Sequence, residues 1–339
     1  MQTYILGGYT KRLNKGISEI QFNPADQSLS QTQLIANLNS STFVALNSTK
    51  DLLFALNKKD DQGGLVVFEK QNSSWRKVSE AYASGATGCH ITFRQASQTI
   101  YVSNYHEASI DIYQLDSNKQ VRLAQRIQHH GSSVHPNQNQ SHIHFTGFNQ
   151  NEDLLYVCDL GSDKVYVYQV KTDGSLSVQS ELITPAGMGP RHIAFHPDLN
   201  RAYIIGELNN HTLEVRIDSV GNLEIEADYP NFNEKVDRAD GAAIRISSDG
   251  RFLYTSTRFH NILSVFAVDD QGHLNLVQTI DSHGQIPRDF IIDESEAYLL
   301  VGHQDSDNLV LFSRDTQSGR LNLISENTNA PECVCIAHA

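Results

Sequence analysis

The feature that most restricts how this chain can fold is a repeat. A short apolar run, a polar turn, a second apolar run, a second turn and an alternating third run follow one another in "GMGPRHIAFHPDLNRAYIIGELNNHTLEV" from Gly187. The same order returns in segments beginning at Thr42, Gly88, Ser141, Asp240 and Pro287. One position in the second run aligns across the six copies: Phe54, Tyr101, Tyr156, Tyr203, Tyr254 and Leu300, spaced by roughly 46 to 55 residues, the period of propeller blades. β-Branched and aromatic residues alternating between Gly, Asp and Asn turns, as in "KVYVYQV" and "ILSVFAV", favour strands over helices. "KTDGSLSVQSEL" and "DDQGHLNLVQTI" add a hairpin turn and a fourth strand.

A seventh copy is split. "YILGGYTKRLNKGISEIQF", from Tyr4, holds a second and third run with no first run before it, and "PECVCIAHA", Pro331 to Ala339, aligns with "PRHIAFHPD", Pro190 to Asp198. The expected fold class is therefore all-β, a seven-bladed β-propeller whose ring is closed by the C-terminal strand completing the N-terminal blade. Closure removes the open strand edges that a linear array would leave. A solenoid caps its ends instead of joining them. No linker or charge block interrupts the copies, so residues 1–339 read as a single propeller domain.

Bulk properties narrow the function. A formal net charge of −13 argues against nucleic acid and against a membrane surface as partner. No apolar run approaches the roughly 20 residues of a membrane span, and "MQTYILGGYT" has no basic segment leading into an apolar one, so no signal peptide is expected. Cys89, Cys158, Cys333 and Cys335 form no Cys-x-x-Cys pair and read as reduced thiols of a cytoplasmic protein. The chain lacks a Gly-x-Ser-x-Gly elbow, a phosphate-binding glycine loop and a dinucleotide fingerprint. His129, His130, His135, His142 and His144 crowd together but lack the common zinc spacings, so neither a metal nor another cofactor is expected. No oligomeric contact is legible.

In a propeller the first strand of each blade lines the central channel, so residues at one end of those strands converge. Here the starts read Cys89-His90, His142-Ile143-His144, Arg191-His192, Asp240-Gly241-Ala242, Arg288-Asp289 and Glu332-Cys333. A second polar set follows the second strands: Asn57, Asn104, Asp159, Glu207, Arg258 and His303. Glu207 and Arg258 each lie four residues past the aligned position of adjacent blades. Asn57, Asn104 and Asp159 read as turn residues. Arg191, Glu207 and Arg258 read either as an inter-blade ion-pair network or as a site.

The repeat, "GPRHIAFHPD", "YVSNY", "CDLGSDKVYVYQ", "DGRFLY" and "PRDFIID…LLVGHQDSDNLVLFSRD" together resemble the seven-bladed propeller lactonase family over nearly the whole chain. That family includes bacterial 6-phosphogluconolactonases and is related to fungal muconate-lactonising enzymes. The resemblance implies a catalytic set of His144, with His142 as the lesser match, Arg191, Glu207 and Arg258. His142, His192 and Arg288, at inner-strand starts, are the expected substrate-binding residues, although His192, like His90, also reads as structural. Two departures bear on substrate choice: His106-Glu107-Ala108 stands where many members have glycines, and Ala242-Ala243-Ile244-Arg245 where many have Ala-Glu-Ile-His.

These residue types suit lactone hydrolysis, which needs an activated water, an oxyanion stabiliser and a proton for the leaving alkoxide. Glu207 or His144 could be the base, and Arg191 and Arg258 could hold an oxyanion or a phosphate. The resemblance implies a small anionic sugar lactone as substrate, with 6-phosphogluconolactone of the pentose phosphate pathway foremost. A non-catalytic binding platform and a lactonising or isomerising enzyme of the same fold are the alternatives.

Overall fold

The computed structural model describes residues 1–339 and contains seven antiparallel sheets. Blades 2 to 7 are four-stranded, with strands paired in chain order from inner to outer. Their inner strands are Val44–Leu46, His90–Arg94, Ile143–Phe148, Pro190–Phe195, Asp240–Ile246 and Pro287–Ile292. Blade 1 has the split construction expected from the repeat. Its innermost strand is Cys333–His338, paired antiparallel with Gln2–Gly8, which pairs in turn with Gly16–Asn23. Its outer edge is broken into Ser28–Leu29 and Gln33–Asn37.

Apolar clusters lie between successive sheets. One joins Tyr156, Val165 and Val167 of blade 4 to Ala202, Ile204 and Leu213 of blade 5. Another joins Tyr4, Leu6 and Phe22 of blade 1 to Leu300, Leu309 and Leu311 of blade 7.

The aligned aromatic position has a physical reason. Tyr101, Tyr156, Tyr203 and Tyr254 are buried in second strands, and each hydroxyl donates to a glycine carbonyl in the outer turn of the next blade. The acceptors are Gly174 at 2.6 Å, Gly221 at 2.8 Å, Gly272 at 2.7 Å and Gly319 at 2.8 Å. These glycines adopt φ between +71° and +94°, and a Cβ on Gly221 would lie 2.0 Å from Leu154, so no other residue fits there easily. Each tyrosine thus buries its ring within one interface and uses its polar tip to lock the neighbouring turn.

Glu332 secures the seam where the ring closes. Its carboxylate accepts the backbone N–H groups of Lys11 (2.9 Å), Arg12 (2.9 Å), Leu13 (3.0 Å) and Asn14 (3.2 Å). The loop after the second strand of blade 1 is thereby tied to the start of its inner strand.

Candidate active site

The inner strands are irregular at the end where the candidate residues gather. Ile143 pairs with Asp159 and Phe145 with Cys158, leaving His144 as the extra residue of a bulge. Arg191 is the extra residue between Pro190 and His192, and Arg288 between Pro287 and Asp289. In a regular strand, residues 144 and 145 would face opposite sides. The bulge turns both inward: the His144 and Phe145 rings lie 5.2 and 5.3 Å from that of His192. The channel therefore acquires two layers from consecutive residues.

The upper layer is charged. Glu207 follows the strand Arg201–Gly206, and Arg258 is the last residue of the strand Phe252–Arg258. Glu207 Oε2 is 3.0 Å from Arg191 Nε and 3.0 Å from Arg258 Nη2. Arg191 Nη1 also donates to the Ala242 carbonyl at 2.7 Å, and Arg258 Nη2 to the Gly241 carbonyl at 3.3 Å. Glu207 Oε1 has no such partner, and the Glu207 side chain is 14% exposed, against 3% for Arg191 and 8% for Arg258. Burial pushes Glu207 upward, but Arg258 and Arg191 outweigh it and hold the carboxyl far below the usual range. Burial lowers Arg191 to about 10, which leaves it charged at neutral pH.

His144 is buried, and its Nδ1 has no hydrogen-bond partner. Burial and the positive field of Arg191 keep the imidazole neutral, well below its ordinary value. Its neighbour Tyr105 lies edge-on at 6.0 Å and is pushed up to about 12, first by burial. Arg288 lies near enough to act on His144, Arg191 and Glu207, and its only side-chain hydrogen bond is to Gln304 Oε1 at 3.2 Å.

The rings of the lower layer are uncharged. The rings of Phe43, His90, Phe145 and His192 touch in sequence, with centroids 4.3 to 5.3 Å apart. Burial lowers His90 to about 3 and holds His192 well below its ordinary value. Asp289 is engaged at this depth, 3.2 Å from Arg245 Nη2 and accepting the Ile336 N–H at 2.9 Å.

Four of the expected residues are thus brought together: Arg191, Glu207 and Arg258 by direct contact, and His144 beside them. Arg288 stands at the rim. His142 is set aside, stacked on Tyr105 at 4.0 Å with Nδ1 2.8 Å from the Tyr105 carbonyl. His192 belongs to the layer below. His129 bonds the Tyr168 hydroxyl at 2.8 Å and packs on Tyr166, so the histidine-rich segment disperses to separate partners. Asn104 and Asp159 accept backbone N–H groups in their own turns.

Tyr105 and Gln304 are channel-mouth residues that the sequence reading missed. A signal was available: both lie four residues past the aligned position, the register of Glu207 and Arg258. The expected polar set mixed that register with the residue before it.

Cavity size does not mark this place. A groove of about 1040 Å³ lies at the opposite end of the ring, between the turns Asn149–Asp153 and Asp218–Gly221. A groove of about 670 Å³ opens beside the charged layer, where Leu208, Phe232, Arg238 and Asp240 meet His135.

Comparison with known proteins agrees with this architecture. The family model described as "Lactonase, 7-bladed beta-propeller" matches residues 3–338. A 6-phosphogluconolactonase of Bacillus subtilis is 32% identical over 99% of this chain and 98% of its own. An uncharacterised protein of Lactococcus lactis is 36% identical over 98% of this chain and 98% of its own. A crystal structure of a protein from Lactobacillus plantarum superimposes with a TM-score of 0.96 at 35% identity, covering 100% of this chain and 99% of that one. The Pseudomonas aeruginosa periplasmic gluconolactonase PpgL shares the fold, with a TM-score of 0.94 at 24% identity over 99% and 98% of the two chains. A repeat that closes on itself, a channel mouth built from its bulged strands and a family match over nearly every residue lead to one assignment: this chain belongs to the seven-bladed β-propeller lactonase family.

Proposed function

We propose that the protein hydrolyses a sugar lactone, 6-phospho-D-glucono-1,5-lactone, to 6-phosphogluconate. The observation that carries this reading is the single carboxylate oxygen of Glu207 shared by two buried guanidinium groups, beside a neutral imidazole. Arg191 and Arg258 are fixed donors for the oxyanion that forms when water attacks the lactone carbonyl. His144 takes the proton of that water. Glu207, held far below the carboxylate range, stays ionised and orients the two arginines. Negative charge growing between the arginines raises the basicity of His144 as the reaction advances. The imidazolium then returns the proton to the ring oxygen as the C–O bond breaks.

The 32% identical 6-phosphogluconolactonase supports the choice of substrate. Four free cysteines, three of them buried, support a cytoplasmic setting. No helix is long and apolar enough to cross a membrane.

The test is hydrolysis of 6-phosphogluconolactone and glucono-1,5-lactone above their spontaneous rates. Arg191→Ala and His144→Gln are each expected to lower turnover by about 10²-fold or more in a chain that still folds, with Arg191→Ala the less stable because Glu207 and the Ala242 carbonyl lose a donor. Normal turnover with a large fall in melting temperature would identify the cluster as a structural ion-pair network. Absence of acceleration on either lactone overturns the hydrolytic reading.

A further inference from the structure

The loop between the first two chain segments of blade 1 brings a second cationic group to the channel mouth. Lys11 Nζ stands 4.6 Å from the centroid of the Tyr9 ring, and Arg288 Cζ stands 5.6 Å from the same centroid. Neither side chain forms an ion pair. Lys11 makes no side-chain hydrogen bond, and Arg288 makes one, to the neutral Gln304 amide at 3.2 Å. An aromatic face holds a cation in place without neutralising it.

The surroundings keep these two charges available. Asp289 adjoins Arg288 in sequence, but the bulge separates them, and Asp289 is engaged one layer down with Arg245 and the Ile336 N–H. Arg12 is committed to structure: its Nη2 donates to the Gln304 carbonyl at 2.8 Å and to Asp307 Oδ1 at 2.7 Å. Gln304 Nε2 donates to Asp305 Oδ1 at 3.1 Å, which fixes the amide facing Arg288. Glu332 grips the loop backbone from Lys11 to Asn14. Lys11 is thus an exposed side chain on a rigidly anchored backbone, and its charge reaches across the mouth to His106, which burial and then His142 hold below its ordinary value.

A chain with net charge −13 offers a phosphate no general attraction, so a phosphate seat needs cations gathered in one place. Resting on the lactonase reading above, we propose that Lys11 and Arg288, steadied by Tyr9, form the seat for the phosphate group of the substrate. The lactone carbonyl is served by Arg191 and Arg258, whose charge is partly balanced by Glu207. A second anionic group on the same small molecule needs separate cations, and these two have no carboxylate partner. The guanidinium offers a planar fork and the ammonium a point charge, a pairing suited to a tetrahedral dianion.

The test is calorimetric titration of the full chain with 6-phosphogluconate and with gluconate at fixed low salt. The expected result is a preference for the phosphorylated ligand that falls about tenfold or more in Lys11→Ala, the scale of one charge-assisted bond. Lys11→Arg should restore most of it. Lys15→Ala, a charge change on the same loop, should leave it intact. A wild-type chain without preference, a Lys11→Ala variant with undiminished preference, or an equal loss in Lys15→Ala overturns the seat. Binding does not depend on turnover, so the two readings fail separately. A phosphate preference in a chain that hydrolyses neither lactone removes the hydrolytic reading and keeps the seat. Hydrolysis of both lactones with equal KM, unmoved in Lys11→Ala, keeps the hydrolytic reading and removes the seat.

Discussion

Two arcs of the ring are joined by different means. From blade 3 round to blade 7, every interface carries a buried tyrosine hydroxyl bonded to a glycine carbonyl of the next blade. From blade 7 through blades 1 and 2 back to blade 3, that bond is missing: Leu300 and Phe54 have no hydroxyl, and Tyr4 turns its own to Gln2 Oε1 at 2.6 Å. His144, Arg191, Glu207, Arg258 and Arg288 all stand on blades 4 to 7, in the first arc. The second arc carries the closure, with Glu332 gripping the loop of Lys11. The contrast relates structure to chemistry. Charges that must meet to within a few tenths of an ångström sit where directional bonds fix one blade against the next. Where the ring is sealed the bonds are of other kinds: Glu332 accepts from four backbone donors, Arg12 donates to Asp307 and the Gln304 carbonyl, and the Tyr298 hydroxyl donates to the Pro24 carbonyl at 3.3 Å.

The harshest way to break this comparison is to open the second arc. Removing residues 331–339 takes away the inner strand of blade 1 and bares the edge of Gln2–Gly8. The expected outcome is loss of cooperative thermal unfolding. A truncated chain that melts cooperatively near the wild-type temperature would show that the first arc needs no closed ring.

Acid should strike the first arc. His90, His144 and His192 all belong to it, and burial, with Arg191 and Arg245 nearby, depresses His90 and His192, as burial and Arg191 depress His144. The unfolded chain binds protons at these histidines near pH 6.5, whereas folded His90 resists until about 3. More protons are bound by the unfolded state in that window, so stability is flat above pH 6.5 and falls as pH drops below it. The slope is up to about 1.4 kcal/mol per pH unit for each histidine. Asp289, raised by burial, works in the opposite sense. Denaturant midpoints measured from pH 7.5 to 5 should show the decline, and His90→Leu, between Phe43 and Phe145, should make it shallower. A flat midpoint over that range contradicts the neutral layer.

The smallest effect sharpens the comparison most directly. Tyr203→Phe in the first arc leaves the Gly272 carbonyl unpaired and should cost about 1–2 kcal/mol. Tyr4→Phe in the second arc should cost less, because its hydroxyl bonds only a side chain two residues away. Equal losses in urea unfolding would remove the distinction between the arcs.

Much of the ring was legible because a blade repeats its own pattern. Six intact copies and one split copy announced seven sheets and the partner of the last strand. Legibility failed at the scale of single residues. The sequence has no mark for a bulge, so nothing announced that His144 and Phe145 would both face the channel. It also did not separate Arg191, above the neutral layer, from His192, within it, although they are consecutive. Tyr9 and Lys11 lie in the turn between the second and third runs of the split copy, where no other copy has a matching pair, and only the fold carries them to Arg288.

The interlocked seam also sets an order of events during synthesis. Blades 2 to 7 can form while the chain is still growing, so Arg191, Glu207 and Arg258 can meet early. The lip holding Lys11 lacks its backbone anchor until Glu332 and the strand Cys333–His338 emerge. Before that moment a nascent chain carries a bare strand edge, the kind that templates pairing with other chains. A product that stops short of those residues is therefore both unfinished at its mouth and prone to aggregate, so a single event late in translation completes the mouth and removes the hazard.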